Sequence, residues 1–324
     1  MNVKVENLRA LCQSILTDRG LDAADAHIVT DILVEAELRG RPTHGMIRLS
    51  GIAERVSQGT QLPMAIEKDA PAYSLINGRD NLGYLVAHRC ACAAIDKAKQ
   101  SGVGVVGARD TSHSGMLGYY ASMIADAGLI GLVMCNTGPR IVPWGGQQPV
   151  LGTNPIAAGF PTAEGQVLVD FSCASITNGE ILMALKDGKE IPAGRALGPD
   201  GKPTTDPEQA RTGGALPFGE HKGYALSVMI QIFSGILLNA APVPEMGKNY
   251  GIFILAIDLS IFLGMDIFQS GVSEVIHAIK NSMPADGVTE ILIPGERAFR
   301  ERAMRIQSGV DIDDDLMEEL QQLA

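Results

Sequence analysis

Cysteine is scarce in this chain of 324 residues, and what there is does not pair. Cys12, Cys90, Cys92, Cys135 and Cys173 are odd in number and irregular in spacing, which excludes a disulfide framework and points to a reducing compartment. Cys90 and Cys92 stand two apart on a predicted helix, where side chains diverge. All five are expected to be buried thiols, and no metal site is expected. Positive charge is also short. The formal net charge of −11 lacks the basic face that nucleic acid requires and offers nothing to an anionic membrane. Aromatics make up only 5% of residues against 37 glycines, a balance that suits aliphatic packing and many tight turns.

A long uninterrupted hydrophobic run is missing too. The N-terminal residues show no signal-peptide pattern, so a soluble, cytoplasmic protein is expected. The most apolar stretch, 225–243, is broken by Ser227, Gln231, Ser234 and Asn239, and is short for a membrane span. It is expected to be a buried core helix.

What is present is a helical beginning followed by mixed texture. Leu8, Leu11, Cys12, Ile15 and Leu16 keep a helical period that stops at Gly20. A second helix is predicted from Ala23 to Leu38 and a third from Pro42 to Gln58. From about Ala72, short β-branched runs alternate with helical ones: strands near 72–76, 103–108, 130–135, 166–170, 251–258 and 289–293, helices near 82–101, 119–127 and 270–280, and an unassigned segment at 155–160. A Gly/Pro-rich excursion spans 187–217. The tail from Arg297 is expected to be helical and to pack back on the N-terminal helices. The pattern implies an α/β (α+β, mixed-sheet) fold in which residues 1–72 and 297–324 form a helical accessory domain and 73–296 the mixed α/β domain.

One motif misleads. Gly102, Gly104 and Gly107 match G-x-G-x-x-G, but a helix precedes them and the intervening valines are strand residues. A dinucleotide turn needs the reverse order, strand then helix. A Rossmann site is therefore not predicted.

Other segments carry chemistry. In RGRPTHGMIR (39–48), His44 and Arg48 are four apart and share a face if the helix from Pro42 is continuous. An imidazole that carries a proton beside a guanidinium that grips a carboxylate suits reduction of a 2-oxo acid. His113 lies in DTSHSG (110–115) at the end of a strand, where α/β proteins place ligands. The turn-rich stretches 136–146 and 151–155 are too long for plain connectors. Lys222, near the start of the apolar helix, makes a candidate anion site.

Taken in order, RGRPTHGMIR (39–48), HSGMLGYY (113–120), PWGGQQPVLGTNP (143–155), GKPTTDP (201–207), HKGYAL (221–226) and IPGE (293–296) closely resemble the malate/L-lactate dehydrogenase family of non-Rossmann NAD(P)-dependent oxidoreductases, which includes sulfolactate, ureidoglycolate and 2,3-diketogulonate relatives. The resemblance implies NAD or NADP as cofactor, a small anionic 2-oxo or 2-hydroxy acid as substrate, and a homodimer or higher oligomer. It also implies a non-Rossmann NAD(P)-binding domain. Carried over by position, His44, His113 and Arg48 are the expected catalytic residues, with Arg48 and Thr43 binding substrate. Thr43 stands where the family often has serine, which narrows the pocket by a methyl. His113, Thr137, Asp170, Phe171, Ser172, Lys222, Pro294, Gly295 and Glu296 are the expected cofactor contacts. Which histidine delivers the proton stays open. Reduction of a cyclic imino acid, pyrroline- or piperideine-2-carboxylate, needs the same clamp and is the alternative activity. A scaffold that has lost catalysis is a further alternative, and it sits poorly with retention of His44, Arg48, His113 and Lys222 together.

Overall fold

The computed structural model describes residues 1–59 and 62–324. Helices α1 (Val5–Asp18), α2 (Ala23–Leu38) and α3 (Leu49–Gln58) follow a two-residue strand, β1 (Asn2–Val3). The Asp22 carboxylate starts α2 by accepting the Ala24 and Asp25 amides at 2.8 and 3.0 Å, satisfying donors a helix N-terminus leaves free. Strands β2 (Ala65–Ala70) and β3 (Tyr73–Asn81) lead to α4 (Gly83–Ser101), β4 (Val103–Thr111), α5 (Leu117–Asp126) and β5 (Leu129–Cys135). Next come β6 (Ile156–Thr162), β7 (Gly165–Phe171) and α6 (Asn178–Asp187), opened by a reciprocal Thr177–Glu180 capping box. The Gly/Pro-rich excursion holds β8 (Ala196–Leu197), β9 (Pro203–Thr204), α7 (Pro207–Thr212) and β10 (Gly214–Ala215). The rest is α8 (His221–Ile230), β11 (Tyr250–Asp258), α9 (Met265–Lys280), α10 (Glu296–Ser308), β12 (Val310–Asp311) and α11 (Asp314–Leu323).

Seven strands form one mixed sheet in the order β2-β3-β4-β11-β5-β6-β7. Only β3 and β4 run parallel, joined by α4; the other neighbours are antiparallel. One core buries the N-terminal helices, α4, α5 and α11 against the sheet, through residues such as Leu8, Ile32, Leu85, Val106, Ile254 and Leu320. A second, smaller core lies on the opposite face around Ile141, Ile181, Ile230 and Phe253. The C-terminal helices pack back as expected. Glu35 accepts Arg39 Nε at 2.7 Å and Arg302 Nε at 2.6 Å, and Arg39 also reaches Ser122 in α5. Such a buried charge cluster adds little net stability but fixes how α2, α5 and α10 meet.

Gly104 and Gly107 lie inside β4, and Gly102 ends α4 at φ 82°. A Cβ on Gly104 would run into the Ala94 backbone of α4. The glycine pattern therefore serves close helix–strand packing, not phosphate binding.

Several expectations need correction. No continuous helix begins at Pro42: two 3₁₀ turns, Pro42–His44 and Met46–Arg48, are broken at Gly45 before α3 starts. The run 225–243 is not a buried core helix. It is α8 continued by a π-helical stretch, Gln231–Ile236, and one face leaves Met229, Ile232, Phe233, Ile236 (56%) and Leu237 (61%) exposed. A uniformly apolar sequence hides which face has a partner. No strand forms at 289–293, where Ile293 instead donates its amide to Glu296. Strand β2 falls inside the 1–72 stretch assigned to the helical domain, beyond its last predicted helix, and Cys92 is only half-buried. No helix among the described residues is long and apolar enough to cross a membrane.

Candidate active site

The site gathers at the C-terminal end of β4, where the segment after Thr111 meets the 41–48 segment between α2 and α3. The His44 and His113 rings stack with centroids 5.9 Å apart and planes 25° from parallel. His113 Nδ1 lies 3.2 Å from the Tyr84 hydroxyl and accepts the Gly115 N–H at 3.2 Å. Gly115 aims that amide by adopting φ 74°, a conformation that disfavours residues with a Cβ. His44 Nδ1 lies 3.1 Å from Thr43 Oγ1, and the Thr43 carbonyl accepts Arg48 Nε at 2.7 Å. Arg48 therefore folds back beside the histidines although no single helix carries them. Its terminal nitrogens make no hydrogen bond or ion pair among the described residues.

Electrostatics make both rings neutral at physiological pH. Burial, then Arg48 and Arg41, lowers His44 to about 4; burial, then Arg48 and His44, lowers His113 to about 3. A cationic pocket thus sits inside a chain of strongly negative net charge, which an anionic substrate requires.

A second group of expected residues is tied together by polar links, some of them buried. Thr137 Oγ1 accepts the Thr153 amide at 2.9 Å, and the Thr137 amide donates to Asn154 Oδ1 at 3.2 Å. Asn154 Nδ2 reaches Ser227 in α8 and, at 2.7 Å, Gln231 Oε1. The loop before α8 is tied to the turn after β7 by the Phe218 amide on the Cys173 carbonyl, 2.9 Å. Asp170, next to last in β7, accepts the Gly118 amide at 2.9 Å; burial pushes its carboxyl up to about 6 against that bond and the charges of Arg41 and Arg39. Phe171 leaves 41% of its surface exposed, braced edge-to-face on Phe218 at 5.5 Å. The Ser172 hydroxyl accepts the Ala174 amide. Lys222 is exposed in the first turn of α8 and has no acid partner among the described residues. Lys222 is an uncommitted cation at a helix start, and Phe218 in the loop just before it packs on the exposed Phe171 ring, an arrangement that suits an anionic dinucleotide.

Pro294, Gly295 and Glu296 are not brought to the histidines. The Pro294 carbonyl accepts the Leu168 amide in β7, and Glu296 is held by Lys280 at 2.7 Å and by Ile293 at 2.9 Å. Pro294 and Glu296 line a separate groove of about 810 Å³ with Arg39, Tyr119 and Gln166.

Sequence reading missed Tyr84, Asn154 and Glu37. Tyr84 sits at the start of a helix with no motif around it, and Asn154 precedes a proline like any turn residue. Glu37 lies in the last turn of α2 with no motif around it.

Comparison with known proteins follows the same outline. Residues 3–321 match the family described as malate/L-lactate dehydrogenase. The malate/(S)-sulfolactate dehydrogenase of Methanothermus fervidus is 38% identical over 335 residues, covering 100% of this chain and 97% of that protein. The solved sulfolactate dehydrogenase of Methanocaldococcus jannaschii superposes with a TM-score of 0.90 at 37% identity, covering 100% of this chain and 96% of that one. The Δ1-piperideine-2-carboxylate reductase of Pseudomonas syringae gives 0.87 at 26% identity, with both chains fully covered.

Proposed function

Because the chain belongs to the malate/L-lactate dehydrogenase family and is an NAD(P)-dependent oxidoreductase of that family, we propose that it interconverts a small 2-oxo acid and its 2-hydroxy acid, of the malate, lactate or sulfolactate kind. The observation that carries this reading is the pair of stacked neutral imidazoles beside an unpaired guanidinium. Arg48 offers two free nitrogens to the substrate carboxylate, a bidentate grip that orients the C2 carbonyl. Thr43 narrows the same pocket.

The two histidines divide the work. The Gly115 amide can only donate, so Nδ1 of His113 must accept and the proton of the neutral ring sits on Nε2. His113 then donates a hydrogen bond to the C2 oxygen and stabilises charge developing there. An imidazolium at His113 would set two N–H groups against each other. His44 has no such lock, because the Thr43 hydroxyl can donate or accept. We assign the proton exchange to His44, whose lowered value rises once a substrate carboxylate offsets Arg48.

A nicotinamide cofactor supplies or takes the hydride when bound. Thr137, Asp170, Phe171, Ser172 and Lys222 are proposed to hold it together with His113. Pro294, Gly295 and Glu296 are proposed contacts from the far side of β7. The chain is proposed to form a homodimer or higher oligomer, for which the exposed face of α8 and its π-helical continuation is the natural surface. Five unpaired thiols favour a cytoplasmic location.

Similarity to a cyclic-imine reductase over the whole of both chains supports a second reading, reduction of pyrroline- or piperideine-2-carboxylate. Oxidation of NADH and NADPH by a panel of 2-oxo acids and cyclic imino acids tests both. Turnover of an oxo acid is expected; turnover of imines alone overturns the hydroxy-acid reading but not the carboxylate clamp.

A further inference from the structure

Glu37 stands where an acid does nothing for the fold by itself. It occupies the last turn of α2, where negative charge opposes the helix dipole, and only 2% of its surface is exposed. Its carboxylate accepts one backbone amide, that of Met46, at 2.7 Å. The same side chain fills the space that a Cβ on Gly45 would need. Gly45, at φ −96° and ψ −137°, is the residue that interrupts the helix between His44 and Arg48. One buried carboxylate therefore braces both sides of the break between the two residues assigned to the substrate.

We propose that Glu37 is a positioning residue of the active site: by gripping the Gly45–Met46 peptide it sets where His44 stands relative to Arg48. This rests on the reading that those two side chains act on the substrate. A continuous helix would leave the pair one turn apart on a common face. The break lets Arg48 turn back onto the Thr43 carbonyl while the His44 ring stacks on His113.

Among the described residues no ion pair competes for the carboxylate. Glu35, on the same helix, takes Arg39 and Arg302. From α10, Arg305 bonds the main-chain oxygen of Glu37 and pairs with Glu301. His44, from the braced segment, is neutral. Burial pushes the Glu37 carboxyl up to about 7, opposed by the Met46 amide and Arg305. An ionised carboxylate is the stronger acceptor, so the grip slackens as pH falls through that value. In the free protein His44 and His113 titrate far lower, at about 4 and 3, so the limb is read in kcat/KM, which reports the free enzyme. Asp170, at about 6, is held by the Gly118 amide on another element and does not bond Glu37.

The test uses the full-length protein carrying Glu37→Gln, Glu37→Ala or Gly45→Ala, assayed with the oxo acid that the wild type reduces and titrated with NADH. Glu37→Ala and Gly45→Ala are expected to lower kcat/KM by about tenfold to 100-fold through misplacement, with NADH affinity unchanged. Glu37→Gln keeps an acceptor for Met46, so it is expected to stay within about threefold while losing the acid limb near neutral pH. Full turnover in both Glu37→Ala and Gly45→Ala, NADH affinity falling in step with turnover, or persistence of the limb in Glu37→Gln would each overturn the proposal. If Glu37→Ala does not fold, Gly45→Ala and Glu37→Gln decide. Arg48→Lys run alongside separates the two readings. Full turnover there overturns the functional assignment and the proposal with it; loss there with full turnover in the Glu37 and Gly45 variants overturns the proposal alone.

Discussion

Removing the Asn154 side chain should unfasten the cofactor half of the site from α8. Asn154 is fully buried with φ 38°, and its amide group joins three elements. Oδ1 takes the Thr137 amide, while Nδ2 serves the Ser227 carbonyl and hydroxyl and the Gln231 side-chain oxygen. In Asn154→Ala, the Thr137 N–H and Gln231 Oε1 lose partners inside the protein. The Ser227 carbonyl still has its helical bond from Gln231. Two stranded buried groups at roughly 1–3 kcal/mol each, and about 1 kcal/mol for alanine in a left-handed conformation, give a destabilisation of about 3–7 kcal/mol. Asn154→Gly avoids the backbone strain and should cost about 1 kcal/mol less. Asn154→Asp keeps the acceptor for Thr137 but turns an oxygen toward Ser227 and Gln231, so it should be no milder than alanine. Urea unfolding followed by circular dichroism measures all three, and NADH titration should show affinity falling with stability. If the alanine and glycine variants both unfold within about 1 kcal/mol of wild type, the network does not have the role assigned to it.

The division between the histidines predicts an order of damage. His113→Asn retains a donor for the C2 oxygen and should keep part of kcat, whereas His44→Asn should lose the roughly 10²–10⁴-fold that proton transfer contributes; the reverse order in steady-state kinetics would reassign them. The unfolded imidazole of His113 titrates near 6.5 and the folded one at about 3, so the unfolded chain takes up the proton first and stability is lost as pH drops below 6.5. Wild type should therefore lose about 2 kcal/mol more than His113→Asn between about pH 7 and about pH 5, and equal losses in urea titrations at both pH values would contradict a buried neutral ring. Ile236→Glu with Leu237→Glu places two charges on the exposed apolar face and should shift light-scattering mass toward the monomer; an unchanged mass would move the interface elsewhere.

Much of the local architecture was legible in the residues. The apolar period and the Asp22 cap delimit α2 at the predicted Ala23–Leu38, because both signals act within one or two helical turns. The helix-before-strand order around Gly102–Gly107 was enough to reject a Rossmann turn, since the backbone direction there points no free amides at a phosphate. Motif order identified the family, and with it the candidates His44, Arg48 and His113. The spacing of His44 and Arg48 suggested a shared helical face, but their meeting depends on the break at Gly45, held by a carboxylate nine positions upstream of Met46.

The sequence by itself thus determined most of the elements and the kind of chemistry. Only the tertiary structure decided that β11 lies between β4 and β5, that the 225–243 run bares one apolar face, and that Glu296 spends its carboxylate on Lys280 and Ile293. It alone decided which proton His113 carries, because the Gly115 amide and the Tyr84 hydroxyl reach that ring only once α4 and the segment after β4 are packed together. Caps and periods are local forces that a few neighbouring residues express in full. Burial, tautomer and partner choice depend on groups far apart in the chain, and these acquire a value only when folding brings the groups within hydrogen-bond reach and removes the water between them.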